Sequence, residues 1–343
     1  MTIPVASSGS PDVTVVIVNW NTRQLLKDCL ASLVERTRGC SYEVIVVDNA
    51  SGDGSVAMVE ATFPSVRLLV NASNLGFAAG CNLGIEKARG RQLLLLNSDT
   101  RFDEDALATL VRFLDAHPEA GLVSCALRNA DGSSQPSIGH FPRFFGAIAA
   151  KFRQLGRHDP GPWRNFDYPF LTLAEHEREQ DVDWVAGAVM LARREVVAQV
   201  GGMDESIFLF AEEWDWCHRI RSAGWRILFT PTARVVHLGS GSWVFSEGLL
   251  NQSRRAGIFA FSRKHYGAAS ATGLQLLAAL GAGTRTLRAA IRLIAPGNRA
   301  EARQGLRQAW QAFRWAASPA ARQTLKSQDL EALTPRKRDG LDG

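Results

Sequence analysis

The stretch VTVVIVNWNTRQLLKDCLASL, residues 13–33, decides the fold. Val13 to Val18 is a continuous β-branched run, the pattern of a strand buried on both faces. Asn19-Trp20-Asn21-Thr22 is a polar turn, after which Leu25, Leu26, Leu30 and Leu33 recur at helical spacing. The same strand–loop–helix unit returns downstream. Glu43 to Val47 ends in Asp48-Asn49-Ala50-Ser51-Gly52-Asp53-Gly54 and a helix-like stretch through Val59, Val66 to Val70 precedes a Gly-rich turn and helix, and Gln92 to Leu96 ends at Asn97-Ser98-Asp99. Alternation of this kind predicts an α/β fold, a Rossmann-like and mostly parallel sheet flanked by helices. Ligands of such sheets sit beyond the carboxyl ends of the strands, which is where these polar clusters fall.

The 343 residues suit one large α/β domain with appended helices, and 46% hydrophobic with 21% charged residues is ordinary globular composition. Cys29, Cys40, Cys81, Cys125 and Cys217 are odd in number and include no CxxC pair, which argues against a disulfide framework and a zinc cage and for a reducing compartment. Met1 to Asp12 lacks a basic region leading into an apolar one, so no secretory signal is expected and the chain is read as cytoplasmic. The net charge of +5 conceals an asymmetry: 16 Lys/Arg against 5 Asp/Glu from residue 251 onward, and 23 against 29 before it.

Further along, Ser133 to Gln180 is rich in Pro, Phe, Arg and His without clear period and reads as loops, a lid or an acceptor surface. Val182 to Ala192 is strand-like but broken by Gly187, and a helix Arg194 to Val200 stops at Gly201-Gly202. An acidic helix start at Glu212, a stop at Ala223-Gly224 and strands at Arg226 to Phe229 and Ala233 to His237 follow. From Ala268 the composition shifts to Ala, Leu, Gly and Arg. The uncharged stretch Ala268 to Thr284, followed by Arg285, Arg288 and Arg292, is too short and too weakly apolar to span a bilayer. Two readings stay open: an interfacial amphipathic helix with Leu274, Leu276, Leu277, Leu280 and Leu287 toward acyl chains, or a packed C-terminal helix pair with a solvated basic face. Trp310, Phe313 and Trp315 beside Arg307 and Arg314 favour the interface. No nucleic-acid motif accompanies the charge. The organisation expected is a disordered 1–12, a main domain 13–266 with halves 13–130 and 131–266, a basic amphipathic extension 267–333 and a disordered 334–343.

Several residues carry chemistry. Asp48, at a strand end, can accept from the N3–H of uracil or thymine, with Asn21 at the neighbouring strand end; it reads equally as a turn-forming Asx residue. In Asn74-Leu75-Gly76-Phe77-Ala78-Ala79-Gly80-Cys81-Asn82, small residues allow backbone approach to a ligand, and Asn82 at a helix opening could contact sugar or phosphate. This is neither a GxGxxG nor a Walker A pattern, which counts against dinucleotide and ATP sites. Asn97-Ser98-Asp99 puts a carboxylate just past a buried strand, where Asp99 could hold a hard cation bridging a diphosphate; the alternative is a helix N-cap. Glu212-Glu213-Trp214-Asp215 packs three carboxylates behind an apolar run, which suggests a general base, Glu213 with Glu212 as its rival. Asp215 pairs instead with Arg219 one turn on. His237 could give a neutral imidazole to a metal.

The order of these motifs resembles the family 2 glycosyltransferases of GT-A fold, closest to the rhamnosyltransferase-like branch. The resemblance rests on Val-Ile-Val-Asn-Trp-Asn at 16–21, Val-Asp-Asn-Ala-Ser-Gly-Asp at 47–53, the 74–82 loop, Leu-Leu-Asn-Ser-Asp at 95–99, the 184–193 strand, Met203-Asp204-Glu205, the acidic motif at 212–215 and Val236-His237, and spans roughly residues 13–266. It implies inverting transfer of a sugar from a nucleotide-sugar donor, assisted by one carboxylate base and a divalent cation, Mg²⁺ or Mn²⁺. The family's DxD motif falls on Asn97-Ser98-Asp99, where only the last carboxylate remains, and its metal-binding histidine falls on His237. Its catalytic carboxylate falls on Glu213, where the family usually has Asp. Gly187 and Ala188 would line the acceptor side, and Trp184 would stack on a sugar face. By the same resemblance the donor is dTDP-rhamnose, or a UDP-hexose or UDP-galactofuranose, and the acceptor is a glycan or polyprenol-linked, reached at the inner face of the membrane. A nucleotidyltransferase would need a Gly-rich basic loop where Asn19-Trp20-Asn21-Thr22 stands. A non-catalytic sugar-nucleotide sensor or scaffold would be expected to lack the carboxylates at 99 and 213.

Overall fold

A computed structural model describes residues 9–141, 170–207, 210–239, 247–294 and 299–318. Met1 to Ser8, the middle of the 133–180 stretch, Ser240-Gly241-Ser242 and the 334–343 tail lie outside the described residues. Asp12 is already tied to the body, accepting from Ser41 N at 2.9 Å, Ser41 Oγ at 2.8 Å and Arg91 Nε at 3.0 Å.

The first half alternates as expected: β1 (Val13–Asn19), α1 (Arg23–Arg36), β2 (Tyr42–Asp48), α2 (Ser55–Thr62), β3 (Arg67–Val70), α3 (Phe77–Lys87) and β4 (Gln92–Asn97). Then come β5 (Thr100–Arg101), α4 (Ala106–Ala116), β6 (Ala120–Arg128), β7 (Ser134–Gln135), β8 (Ile138–Gly139), a 3-10 turn at Leu173–Glu177, β9 (Gln180–Asp181), β10 (Trp184–Val185), β11 (Val189–Arg193), α5 (Arg194–Val200), α6 (Glu212–Ser222), β12 (Arg226–His237), α7 (Glu247–Ile294) and α8 (Arg299–Ala316). The main sheet runs β3-β2-β1-β4-β11-β6-β12-β5. β1 to β4 are mutually parallel, as are β6 and β12, while β11 enters antiparallel between β4 and β6. Its reversed direction brings the start of β11, Val189 opposite Leu96, to the carboxyl edge of β4. β6 is a strand the hydropathy pattern did not single out. β12 is continuous where two strands were expected; its register shifts between Thr230 and Arg234, around Pro231, which cannot donate to a ladder.

The apolar runs are continuous because both sheet faces are covered. On β4, Leu94 and Leu96 pack with Leu26, Leu30 and Leu33 of α1 and Leu107, Leu110 and Leu114 of α4, while Leu93 and Leu95 face Ala78 and Cys81 of α3 and the aromatic cluster of α6. On that second face α3 lies close to β1: a Cβ at Gly84 would meet Val16 Cγ1 at 2.2 Å, and one at Gly80 would meet Val18 Cγ1 at 2.8 Å.

α7 breaks at Gly267, which takes φ 85°. Before the break Ile258, Phe259 and Phe261 are buried, and after it Leu274, Ala278 and Ala282 are. α8 folds back antiparallel, with Phe313 against Gly283 and Gln275 Nε2 donating to Ala316 O and Ser318 O, both at 2.9 Å. The packed helix pair is therefore present. Leu274 and Leu277, expected to face acyl chains, instead pack against the core. Leu276, Leu280 and Leu287 are exposed. No helix among the described residues is long and apolar enough to cross a membrane.

The Gly84 contact predicts that Gly84→Ala lowers stability by about 1–3 kcal/mol, the usual cost of overpacking, despite alanine's better helix propensity. Urea unfolding of the two proteins checks this; an unchanged midpoint would mean that α3 can shift away from β1.

Candidate active site

Three loops at the carboxyl edge are bonded into one unit. Asn19 Nδ2, at the end of β1, donates to Asp48 Oδ2 at 2.8 Å and to Ser51 Oγ at 3.1 Å, and Ser51 N donates to Asp48 Oδ1 at 2.8 Å. Thr22 Oγ1 donates to Asn19 Oδ1 at 2.6 Å and lies 3.0 Å from Ser98 Oγ, linking the loop after β4 to that after β1. Asn21, at φ 54°, accepts from Gly52 N at 2.7 Å. Asp48 is only 1% exposed, and as placed it holds these loops, the turn-forming alternative. Asn74 Oδ1 accepts from Gly76 N at 2.9 Å, and Gly76 O from Asn49 Nδ2 at 3.0 Å, so the Gly-rich loop is fastened to the end of β2.

Beyond β4, Asp99 meets β12. β5 pairs with the end of β12, His237 opposite Thr100, and Leu238 N donates to Asp99 O at 2.9 Å. His237 Nε2 then lies 3.2 Å from Asp99 Oδ1. The ring's orientation follows from Gln135 on β7. Gln135 Nε2 reaches Asn129 Oδ1 at 3.1 Å and His237 O at 3.5 Å, which turns its Oε1 toward His237 Nδ1 at 2.7 Å. Nδ1 thereby faces an acceptor, and Nε2 faces Asp99 with Asn97 Nδ2 at 3.4 Å. An imidazole nitrogen 3.2 Å from a buried carboxylate oxygen calls for a proton or a cation between them. One carboxylate oxygen and one imidazole nitrogen at the end of β4 could hold a hard or borderline divalent ion if its other ligands were phosphate oxygens and water. Among the described residues no group of three or more His, Cys, Asp or Glu could hold a metal by itself.

The acidic motif opens α6. Phe210 and Ala211 enter it at φ 65° and 75°, uncommon for residues with a Cβ, and α7 holds them there: a Cβ at Gly257 would meet Phe210 O at 2.3 Å. Glu212 and Glu213 follow, 5% and 6% exposed. Burial, then the neighbouring Glu213, push the Glu212 carboxyl well above its usual range, and its Oε2 has no hydrogen-bond partner among the described residues. Burial and the adjacent carboxylate thus both favour the protonated form of Glu212, at a helix start where the dipole favours negative charge. Gly187 lies against Glu213, its Cβ position 4.0 Å from Glu213 Cβ and 3.6 Å from the Phe77 ring. Next to it, Ala188 O accepts from Asn97 N at 3.0 Å, so the start of β11 joins the Asn97–Asp99 corner to the head of α6.

Other expectations are redistributed. Trp184 is fully buried against Trp214, with ring centroids 4.9 Å apart, and donates to His140 O at 2.9 Å, so it cannot stack on a sugar. Asn82 lies inside α3 and brackets the Met203–Glu205 turn: Oδ1 accepts from Met203 N at 2.8 Å, and Nδ2 donates to Met203 O at 2.9 Å and Glu205 Oε1 at 2.8 Å. Asp215 pairs with Arg219 at 2.8 Å, as expected, but also with His265 Nε2 and Lys264 Nζ of α7, each at 2.7 Å. Burial alone would raise its carboxyl, and these donors overcome that to hold it below the usual range. Lys264 also reaches Asp204 at 2.6 Å, so one ammonium ties α7 to the turn before α6 and to α6 itself. Gln135, Lys264 and His265 had no local sequence signal, because His237 in the first case and Asp215 in the other two lie 49 to 102 residues away in the chain.

Residues 14–196 match the family described as "Glycosyl transferase family 2". The chain is 30% identical over 239 residues to an N-acetylglucosaminyl-diphospho-decaprenol L-rhamnosyltransferase of Mycobacterium tuberculosis, covering 65% of this chain and 75% of that one. It is 26% identical over 238 residues to the O-antigen biosynthesis protein RfbC of Myxococcus xanthus, covering 68% of this chain and 18% of that one. In fold it is similar to a mannosyltransferase from Pyrobaculum calidifontis solved with GDP-Man and Mn²⁺, with TM-score 0.52, 19% identity and coverage of 92% and 91% of the two chains. A second likeness is GalNAc-T7 solved with UDP, GalNAc and Mn²⁺, with TM-score 0.53, 15% identity and coverage of 96% and 59%. The chain belongs to the family 2 glycosyltransferases, in their rhamnosyltransferase-like branch, and has the GT-A fold.

The raised carboxyl of Glu212 fixes a pH dependence. The folded chain binds a proton there that the unfolded chain releases from about its ordinary value of 4.5 upward, so this group lowers stability as pH rises above 4.5. Glu212→Gln should therefore be more stable than the parent at pH 8 and similar to it at pH 4. Urea midpoints at the two values test this, and a variant no more stable than the parent at pH 8 would overturn it.

Proposed function

We propose that this chain is an inverting, divalent-cation-dependent glycosyltransferase that moves L-rhamnose from dTDP-rhamnose to a hydroxyl of a glycan or polyprenol-linked acceptor in cell-surface polysaccharide biosynthesis. The observation that carries the reading is the Asp99–His237 corner, bridged through Asn97 and Ala188 to Gly187 and so to Glu213. The donor and acceptor are supported by the printed activity of the M. tuberculosis relative, and the cation by the Mn²⁺ in the two structural likenesses.

Asp99 and His237 Nε2 would hold Mg²⁺ or Mn²⁺, whose charge, when bound, offsets that of the departing diphosphate. Gln135 Oε1, 2.7 Å from Nδ1, holds the ring with Nε2 toward Asp99. The acceptor oxygen forms its bond to the anomeric carbon on the face opposite the diphosphate, and the carbon–oxygen bond to the β-phosphate breaks with its electron pair leaving on the diphosphate. Glu213 takes the acceptor's proton. The missing side chain at Gly187 leaves room beside that carboxylate for the acceptor. Asn21, Asp48, Asn74, Gly76, Asn97 and Ser98 would frame the nucleotide end. A polyprenol-linked acceptor brings the chain to the cytoplasmic face of the membrane as a peripheral protein.

The test titrates dTDP-rhamnose, UDP-glucose and UDP-galactose with and without Mg²⁺ or Mn²⁺. Asp99→Asn and His237→Ala should weaken cation-dependent donor binding about 10-fold or more. Glu213→Gln should bind donor normally and transfer at least about 100-fold more slowly. Absence of any sugar-nucleotide binding with either cation would overturn the reading.

A further inference from the structure

The α7–α8 hairpin has an outer side that chemistry at the sheet edge does not use. On α7, Leu276, Leu280, Leu287 and Ile291 fall at i, i+4, i+11 and i+15, a single stripe, and are 60%, 65%, 63% and 56% exposed. On α8, Arg303, Arg307, Trp310 and Arg314 fall at i, i+4, i+7 and i+11, again one stripe, and all four are exposed. Trp310 stacks on Phe313 with ring centroids 5.5 Å apart, and Phe313 lies against Gly283 of α7. Gly283 is a helical neighbour of Leu280 and Leu287, so the arginine–tryptophan stripe runs beside the leucine ridge. From Ala268 to Ser318 the chain has seven arginines, no lysine and one acidic residue, Glu301.

A contiguous exposed apolar ridge marks an interaction surface rather than ordinary surface scatter. Its charge selects the occupant. A second copy of the chain would set arginines against arginines, whereas anionic headgroups complement them. We propose that this face docks on an anionic lipid bilayer, with the α7 leucines among the upper acyl chains, Trp310 at headgroup depth, and Arg303, Arg307 and Arg314 on lipid phosphates. The hairpin is fixed to the catalytic helix through Lys264 and His265 on Asp215, so docking would orient the sheet's carboxyl edge relative to the membrane. This deepens the lipid-linked-acceptor reading and rests on it for its purpose, though not for its test.

The experiment co-sediments the full chain at low salt with vesicles of phosphatidylcholine alone and of phosphatidylcholine mixed with phosphatidylglycerol. Nucleotide-sugar binding is read separately in the same preparations, so a failure of the transferase reading would show there and not in the pellet. The wild type should partition onto the anionic vesicles, be released by salt and ignore the neutral ones. Arg303→Glu with Arg307→Glu should reduce partition by about 5-fold per arginine or more. Leu280→Gln with Leu287→Gln should also release the protein while leaving circular dichroism and donor binding unchanged. No partition of the wild type, equal partition of both variants, or a wild-type dimer that Leu280→Gln with Leu287→Gln disperses would each overturn the proposal.

Discussion

β1 has no side on which water can reach its centre. β2 and β4 hydrogen-bond along its two edges, α1 presses Leu26 and Leu30 to one face, and α3 closes the other by giving up side chains at Gly80 and Gly84. A polar group can survive there only with its partners supplied, as Thr14 does by donating to Glu43 Oε1 at 2.6 Å and accepting from Gly90 N at 2.8 Å. Chemistry is therefore displaced to the carboxyl end of the sheet, where the chain must leave the ladder and can expose polar groups. The Asn19–Asp48–Ser51–Thr22–Ser98 network follows from that constraint, because three strand ends a strand spacing apart must satisfy one another.

The second half of the site depends on β11 running against its neighbours. An antiparallel strand begins where β4 ends, so Gly187 and Ala188 arrive beside Asn97 and carry the head of α6 with them. α6 begins through two residues at positive φ, a conformation that persists only if the surroundings enforce it. The surroundings are α7, through the close approach of Gly257 to Phe210 and through Lys264 and His265 on Asp215. Asp215 is fully buried among three cationic or ionisable partners, an arrangement whose loss on one side costs far more than the pairing yields. The C-terminal helices are thus part of the scaffold for the acidic motif two residues upstream of Asp215.

Much of the fold was readable in the chain. The β-branched runs, the polar clusters that end them and the glycines that stop helices are local signals, and they located β1 to β4, α5 and the strand-end residues Asn21, Asp48 and Asp99. β6 and the continuity of β12 were not legible, the first because its run is interrupted by small and polar residues, the second because Pro231 imitates a strand end. Trp184 read as a sugar platform and is core, since an aromatic's sequence neighbours do not reveal whether Phe170 and Trp214 will cover it. Asn82 read as a ligand contact and is a bracket, because Met203 is 121 residues away.

The sequence by itself determined the α/β alternation, the sheet edge at which the polar clusters gather and the family, all of which depend on period and motif order within short windows. Only the tertiary structure decided that His237 Nε2 faces Asp99, that Glu212 Oε2 has no hydrogen-bond partner among the described residues, and that some C-terminal leucines are core while others form an exposed ridge. Each of those depends on distances between groups far apart in the chain, and burial and electrostatics act through distance in space rather than separation along the chain.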